Sequence, residues 1–328
     1  MRSLALTLVL SLLLPAAQAQ QTLRERLKAR AEQRRADKGS EKGGEAPGGL
    51  QEMQVQGRQV LVHLPTGYDP ARPAPMVLAF HGGGGHAEYM ADDAKYGLQK
   101  KADAAGFVVA FPNGHSKLPG GRFATWNAGG CCGDARDKGS DDVAFARATV
   151  KAIQARYAID AGRVFATGMS NGGMLSHRLA CEAADVFRAV ASVAGTDATA
   201  SCTPSRPISV LHIHARDDDH VLFNGGAGPN AFRDESKVMN FVSVPETVSR
   251  WVQRNRCTTA PQRTLDRPGA TCEAYSGCGG GVSVQLCVTE AGGHSWPGAQ
   301  SVRRGKEAAS KALDANDEIW RFFEQAPR

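Results

Sequence analysis

Apolar residues recur along this chain with two alternating periods. Runs of four to eight residues rich in Val, Ile, Phe and Ala have the length and composition of strands: 59–64, 76–81 (MVLAFH), 107–111 (FVVAF), 163–168 (RVFATG), 189–195, 209–215 (SVLHIHA) and 282–288 (VSVQLCV). Between them the spacing turns helical, which predicts helices over 91–105, 171–184, 244–256 and 308–324. Another helix opens at Asp141-Asp142, where carboxylates satisfy the free N–H groups of a first turn. Val143, Ala146, Val150, Ile153 and Tyr157 then share one face of it. Strands that are apolar throughout, alternating with amphipathic helices, predict an α/β class: a mostly parallel sheet covered by helices on both faces. There is no internal repeat, so residues 49–328 are expected to form a single domain.

The first residues follow another pattern. Arg2 precedes an apolar run from Leu4 to Leu14, and Ala17-Gln18-Ala19 offers a small-residue cleavage site. The run falls short of the roughly 20 residues that span a bilayer, so residues 1–19 are expected to be a secretory signal with no anchor left after cleavage. Residues 20–48 are charged, poor in aromatics and closed by a Gly/Pro cluster, a composition expected of a disordered spacer. The fold is expected to begin near Leu50.

The formal net charge of +6 shrinks once these segments are set apart. Arg2 supplies one charge, and the eight basic against five acidic side chains of 20–48 supply three more, which leaves +2 for the rest. A nucleic-acid binder carries a basic face on its folded domain, and so small a balance speaks against one. The chain has eight cysteines, which suits an exported protein with several disulfides, periplasmic or extracellular. Cys257, Cys272, Cys278 and Cys287 are expected to pair among themselves, and Cys131 or Cys132 with Cys181 or Cys202. With no CxxC pair and no HExxH, zinc is not expected.

The sharpest local signal is Gly168-Met169-Ser170-Asn171-Gly172, a G-x-S-x-G motif between a strand and a helix. In that context the glycines permit a tight turn that lifts a serine hydroxyl above a strand end. Ser170 is therefore the candidate nucleophile, and the Asn171 N–H a candidate oxyanion donor. A second donor is expected from His81-Gly82-Gly83-Gly84-Gly85, directly after MVLAF, with Gly83 favoured over Gly84. Neither phosphate-loop pattern is met there. A serine needs a base and the base an orienting acid, in the chain order serine, acid, histidine for this architecture. His294, in GGHSWPG, is the sole histidine after His220. For the acid, Asp217, Asp218 and Asp219 stand together at a strand end, and chemistry alone leaves all three open. The alternative is a metal site that these acids form with His212, His214 or His220, although strand alternation puts His212 and His214 on one face as hydrogen-bonded core histidines.

GMSNGG, the HG start of the glycine loop, WNAGGCCG (126–133), DDVAF (141–145) and GGHSWPG together resemble the poly(3-hydroxybutyrate) depolymerase-type esterases. These are similar in turn to the feruloyl and acetylxylan esterases of carbohydrate esterase family 1. The resemblance runs from about residue 55 to 322. It implies an α/β-hydrolase fold and a pattern H-G-T-x-D-x-x-V that maps onto His214 to Val221 and selects Asp218, with Ala215 and Arg216 in place of Gly and Thr. It implies acyl transfer through an acyl-enzyme, with Ser170, Asp218 and His294 as the triad, and no cofactor. Trp126 and Trp296 are expected to wall the substrate pocket.

Depolymerases that attack solid polymer usually carry a binding module and linker, and neither is expected among these residues. Soluble esters or hydroxyalkanoate oligomers are thus the expected substrates. The alternative is a feruloyl or acetylxylan esterase acting on plant polysaccharide. A non-catalytic binding protein of this fold would usually have lost the serine or the histidine. The sequence carries no signal for an oligomeric state.

Overall fold

The alternation of strand and helix signals translates into one extended sheet. The computed structural model describes residues 50–231, 240–300 and 308–328; the expected signal (1–19) and spacer (20–48) lie outside the described residues. In chain order the strands are β1 (Leu50–Val55), β2 (Arg58–His63), β3 (Ala74–Phe80), β4 (Val108–Pro112), β5 (Ile159–Met169), β6 (Ala189–Val193), β7 (Ser209–Ala215), β8 (Gln262–Arg267), β9 (Ala270–Tyr275) and β10 (Val284–Thr289). The helices are α1 (Ala87–Met90), α2 (Leu98–Ala105), α3 (Gly133–Asp137), α4 (Asp142–Gln154), α5 (Asn171–Glu182), α6 (Val244–Arg254) and α7 (Ala315–Glu324).

The sheet order is β1-β2-β4-β3-β5-β6-β7-β10-β9-β8. The stretch from β4 to β10 is parallel throughout. Antiparallel hairpins close both ends, β1–β2 on one side and β8–β9 on the other. Successive residues of a strand point to opposite faces, and two separate cores result. Val77 and Ala79 enter one with Leu98, Ile319, Trp320 and Phe323, under α2 and α7. Met76, Leu78 and Phe80 enter the other with Val143, Phe145, Leu175 and Trp251, under α4, α5 and α6. Burial on both faces explains why the central strands read as unbroken apolar runs.

Two helices are shorter than their periodicity suggests. The segment 91–105 becomes helical only at Leu98, after Gly97 in the left-handed region, and both Asp93 oxygens accept the N–H groups of Gln99 and Lys100. The segment 308–324 starts its helix at Ala315, where the Asp314 side chain accepts from Asn316 and Asp317 N–H.

The disulfides are Cys131–Cys132, Cys181–Cys202, Cys257–Cys278 and Cys272–Cys287. The four C-terminal cysteines pair among themselves as expected, but the two N-terminal pairs differ. Cys132 lies beside Met174 in the first half of α5, their sulfurs 4.0 Å apart, whereas Cys181 is near its far end. Seven residues of helix, about 10 Å, separate Met174 from Cys181, so the two cysteines meet α5 about two turns apart. Cys181 instead meets Cys202 at a Cα separation of 5.1 Å.

Candidate active site

Four parallel strands, β3, β5, β7 and β10, end at the same edge of the sheet. The segments that follow them carry Gly82-Gly83, Ser170, Asp218 and His294. Loops at the carboxyl ends of a parallel sheet are where this architecture gathers ligand groups.

Ser170 joins β5 to α5 with φ 55° and ψ −119°, a strained backbone for a non-glycine residue. The turn persists because its surroundings leave no alternative. A Cβ on Gly172 would come within 2.2 Å of the Phe80 carbonyl oxygen, and one on Gly168 within 2.4 Å of the Gly172 backbone. Ser170 N–H donates to the Val193 carbonyl (2.8 Å), fixing the turn to β6. The Ser170 hydroxyl does not cap its helix, and the residue lines the pocket.

The three neighbouring aspartates divide. Asp218 is buried, and its Oδ2 lies 2.8 Å from His294 Nδ1. Its Oδ1 accepts the N–H groups of His220 (2.8 Å) and Val221 (2.9 Å). Burial alone would push this carboxyl up, but His294 and His214 beside it hold it far below the ordinary carboxylate range. Asp217, at the surface, accepts from Gly292 N–H (3.2 Å) and Gly293 N–H (2.8 Å), and so tethers the loop that bears His294. Asp219 bonds His220 Nδ1 at 2.5 Å. The sequence reading did not include His220 in the active site, yet its ring stacks on that of His294, with centroids 4.5 Å apart and planes 14° from parallel.

In the glycine loop, Gly84 N–H is engaged by the Ala124 carbonyl (2.8 Å) and Gly85 N–H by Gly82 (2.9 Å). Gly82 and Gly83, which both line the pocket, have N–H groups that take no such partner among the described residues. The loop is held from below by His81, fully buried: its Nε2 accepts Gly114 N–H (3.0 Å), so Nδ1 carries the hydrogen and donates to the Gly82 carbonyl (2.8 Å). Desolvation is the main reason that His81 is pushed down to about 4. The sequence offered only the HG dipeptide as a sign of this support.

Of the two tryptophans, Trp296 lines the pocket, with its indole N–H on Asn316. Trp126 does not. It is fully buried between Phe80, His81 and Phe145, and its indole N–H donates to the His81 carbonyl (2.9 Å). Its backbone N–H and carbonyl are both held by the Asn171 side-chain amide, at 2.7 and 2.9 Å. Nothing local distinguishes such a tryptophan from a pocket wall; the core takes it because a satisfied indole is a large apolar body. The pocket, about 410 Å³, is bordered by Tyr89, Tyr96 and Trp296, whose rings follow one another edge to face, and by Met169, Met174, Cys132 and Phe241.

Asp218, His220 and His294 are also near enough to share a metal ion, with ligand atoms within 4.8 Å of one another. The nitrogens nearest the carboxylates already hold hydrogen bonds to Asp218 and Asp219, so a metal would have to break the arrangement just described. His212 and His214, weighed earlier as ligands, are buried under the sheet's helices.

The profile of the family described as esterase PHB depolymerase matches residues 59–234, more than half of the chain. The chain belongs to this family. Among curated proteins, the chain is 33% identical over 243 residues to feruloyl esterase B of Piromyces equi, covering 73% of the chain but 42% of that protein, less than half of its length. It is 33% identical over 266 residues to the putative esterase NocK of Nocardia uniformis, covering 76% of the chain and 74% of the relative. Its α/β-hydrolase fold is shared with acetyl xylan esterase from Aspergillus awamori, at a TM-score of 0.57 and 14% identity, over 85% of this chain and all of that one.

Proposed function

We propose that this family member is a serine carboxylic-ester hydrolase, with Ser170 as nucleophile, His294 as general base and Asp218 as the acid that orients and stabilises the imidazolium. The observation that carries the reading is the 2.8 Å contact between His294 Nδ1 and buried Asp218 Oδ2, beside a pocket that Ser170 enters on a strained turn. His294 takes the Ser170 proton as the hydroxyl attacks the ester carbonyl. The backbone N–H groups of Asn171 and Gly83 receive the oxyanion, a contribution of about 3–4 kcal/mol per donor. His294 returns its proton to the leaving alcohol, and water then releases the acid from the acyl-enzyme by the same route. No step calls for a metal or an organic cofactor.

The substrate reading shifts from the one that sequence favours. Tyr89, Tyr96 and Trp296 give the pocket an aromatic border, which suits an aromatic acyl group such as feruloyl better than an aliphatic hydroxybutyryl unit. Similarity to a feruloyl esterase supports the same choice. Export is part of the proposal, supported by four disulfides and by the absence, among the described residues, of a helix long and apolar enough to cross a membrane.

The test is a hydrolysis panel of methyl ferulate, acetylated xylan, hydroxybutyrate oligomers and p-nitrophenyl acyl esters, with the native enzyme and Ser170→Ala. A serine-directed phosphonate should label Ser170, and Ser170→Ala should be inactive but folded. Substantial turnover by that variant sinks the assignment; a preference for oligomers over methyl ferulate overturns the acyl choice alone.

A further inference from the structure

Behind Asp218, away from the pocket, three histidines stand in a row that the proposed reaction does not use. His212 and His214 alternate with Ile213 on β7, facing α5 and α6, and His177 lies on α5; all are buried. Trp251 Nε1, on α6, is 2.9 Å from His177 Nδ1. His177 Nε2 is 3.4 Å from His212 Nδ1, and His212 Nε2 is 3.0 Å from His214 Nδ1. His214 Nε2 is 2.8 Å from the Val221 carbonyl oxygen and 3.3 Å from Asp218 Oδ2. The rings are nearly parallel, 24° between His177 and His212 and 14° between His212 and His214.

The two ends of this row fix every proton in it. An indole N–H only donates, so His177 Nδ1 accepts and its hydrogen sits on Nε2. From the other end, a carbonyl only accepts, so His214 Nε2 carries hydrogen and, in a neutral ring, its Nδ1 accepts from His212 Nε2–H. Both derivations give the same result, with all three rings neutral and protonated at Nε2. A proton added to any ring would set two donors against each other. Burial favours neutrality too, since desolvation holds His177 near 4 and His212 well below its ordinary value.

We propose that Trp251, His177, His212 and His214 form a one-way hydrogen-bonded chain that ends on Asp218 and serves as its positioning element, keeping Oδ2 turned towards His294. This rests on the catalytic reading of Asp218 and His294. Each link polarises the next in a dry interior, and the final N–H, shared between Val221 and Asp218, limits rotation of the carboxylate. The chain crosses from α6 through α5 to β7, so it also makes the site sensitive to how those helices seat on the sheet.

Nitrogen-15 NMR of the intact protein labelled at histidine tests the chain directly. His177, His212 and His214 are expected as neutral Nε2–H tautomers at neutral pH, in the native enzyme and in Ser170→Ala alike. A Nδ1–H tautomer or a doubly protonated ring at any of the three overturns the chain. Its role is tested at His212, which touches neither Asp218 nor the pocket. His212→Phe should lower kcat on p-nitrophenyl acetate about ten-fold with KM within about two-fold, as loss of one positioned hydrogen bond does. His212→Gln, whose amide can accept and donate in the same order, should recover most of the loss. Equal kcat in the native and Phe enzymes, or equal loss in the Gln and Phe variants at equal Tm, removes the positioning role. The spectrum decides the chain whatever Ser170→Ala does, so failure of the catalytic reading and failure of this one are separate results.

Discussion

Asp217 and Asp218 are neighbours with the same side chain and different work, one holding the backbone of the His294 loop and the other its ring. Replacing each tests the division. Asp218→Asn should lower kcat by roughly 10³- to 10⁴-fold, since the wrong histidine tautomer is then favoured. Asp217→Asn still offers one oxygen to Gly293 N–H and should cost far less, visible first as a lower Tm. Steady-state kinetics that rank the two the other way would place the acid one residue earlier. His81 carries a second prediction at this scale. Its value in the fold is about 4, against 6.5 for the free side chain, and His177 behaves alike. Above 6.5 neither group affects stability. As pH falls from 6.5 to about 4 the unfolded chain takes up protons that the fold refuses, so stability drops. The slope reaches about 1.4 kcal/mol per pH unit for each group. Tm should therefore decline over that window, and His81→Gln should flatten the decline; a Tm constant from 6.5 to 4 contradicts it.

Elements were legible where burial is symmetrical. Strands β3, β4, β5, β6 and β7 are buried along most or all of their length and stand out as apolar runs. The strands β1, β8 and β9 of the terminal hairpins were not anticipated, because a strand with one wet face or two carries little apolar signal. In QRTLDR only Leu265 is buried. The same asymmetry limits the site. GMSNG announces its own turn, since only its glycines let α5 pass against β3, and the glycine loop and His294 follow strand ends that sequence marks. Asp218 could be told from its neighbours only through family spacing, because which of three acids turns inward is settled by contacts with residues 76 positions away. Trp126 and the extension of the histidine row to His177 and Trp251 escaped for that reason too, whereas strand alternation already set His212 and His214 together on a buried face. Gly172→Ala makes the element-scale prediction. A Cβ there meets the Phe80 and His81 carbonyls at 2.2 and 2.6 Å, so α5 must shift away from β3 and carry Asn171 away from Gly83. Overpacking of this kind costs about 1–3 kcal/mol or more. Tm and kcat should fall together, and a variant with lowered Tm but native kcat would show that the donors tolerate the shift.

Across the whole molecule, the Cys272–Cys287 disulfide binds β9 to β10, the strand that leads into His294. The bridge closes a loop of 15 residues, worth about 3 kcal/mol if its effect is on the unfolded chain. The Cys272→Ala, Cys287→Ala double variant should unfold at correspondingly lower denaturant while keeping kcat near native. An unchanged midpoint would mean that β9–β10 pairing suffices alone.

The sheet order has a consequence in time. β10 pairs with β7, yet the chain lays down α6 and the β8–β9 hairpin between them. Closing so long a loop is entropically late. The base-bearing loop cannot reach Ser170 until that closure is made, whatever the state of the strands before it. During refolding with the disulfides intact, sheet signal should therefore return ahead of ester hydrolysis, and a stretch of chain ending before β10 should be able to fold locally yet never turn over substrate.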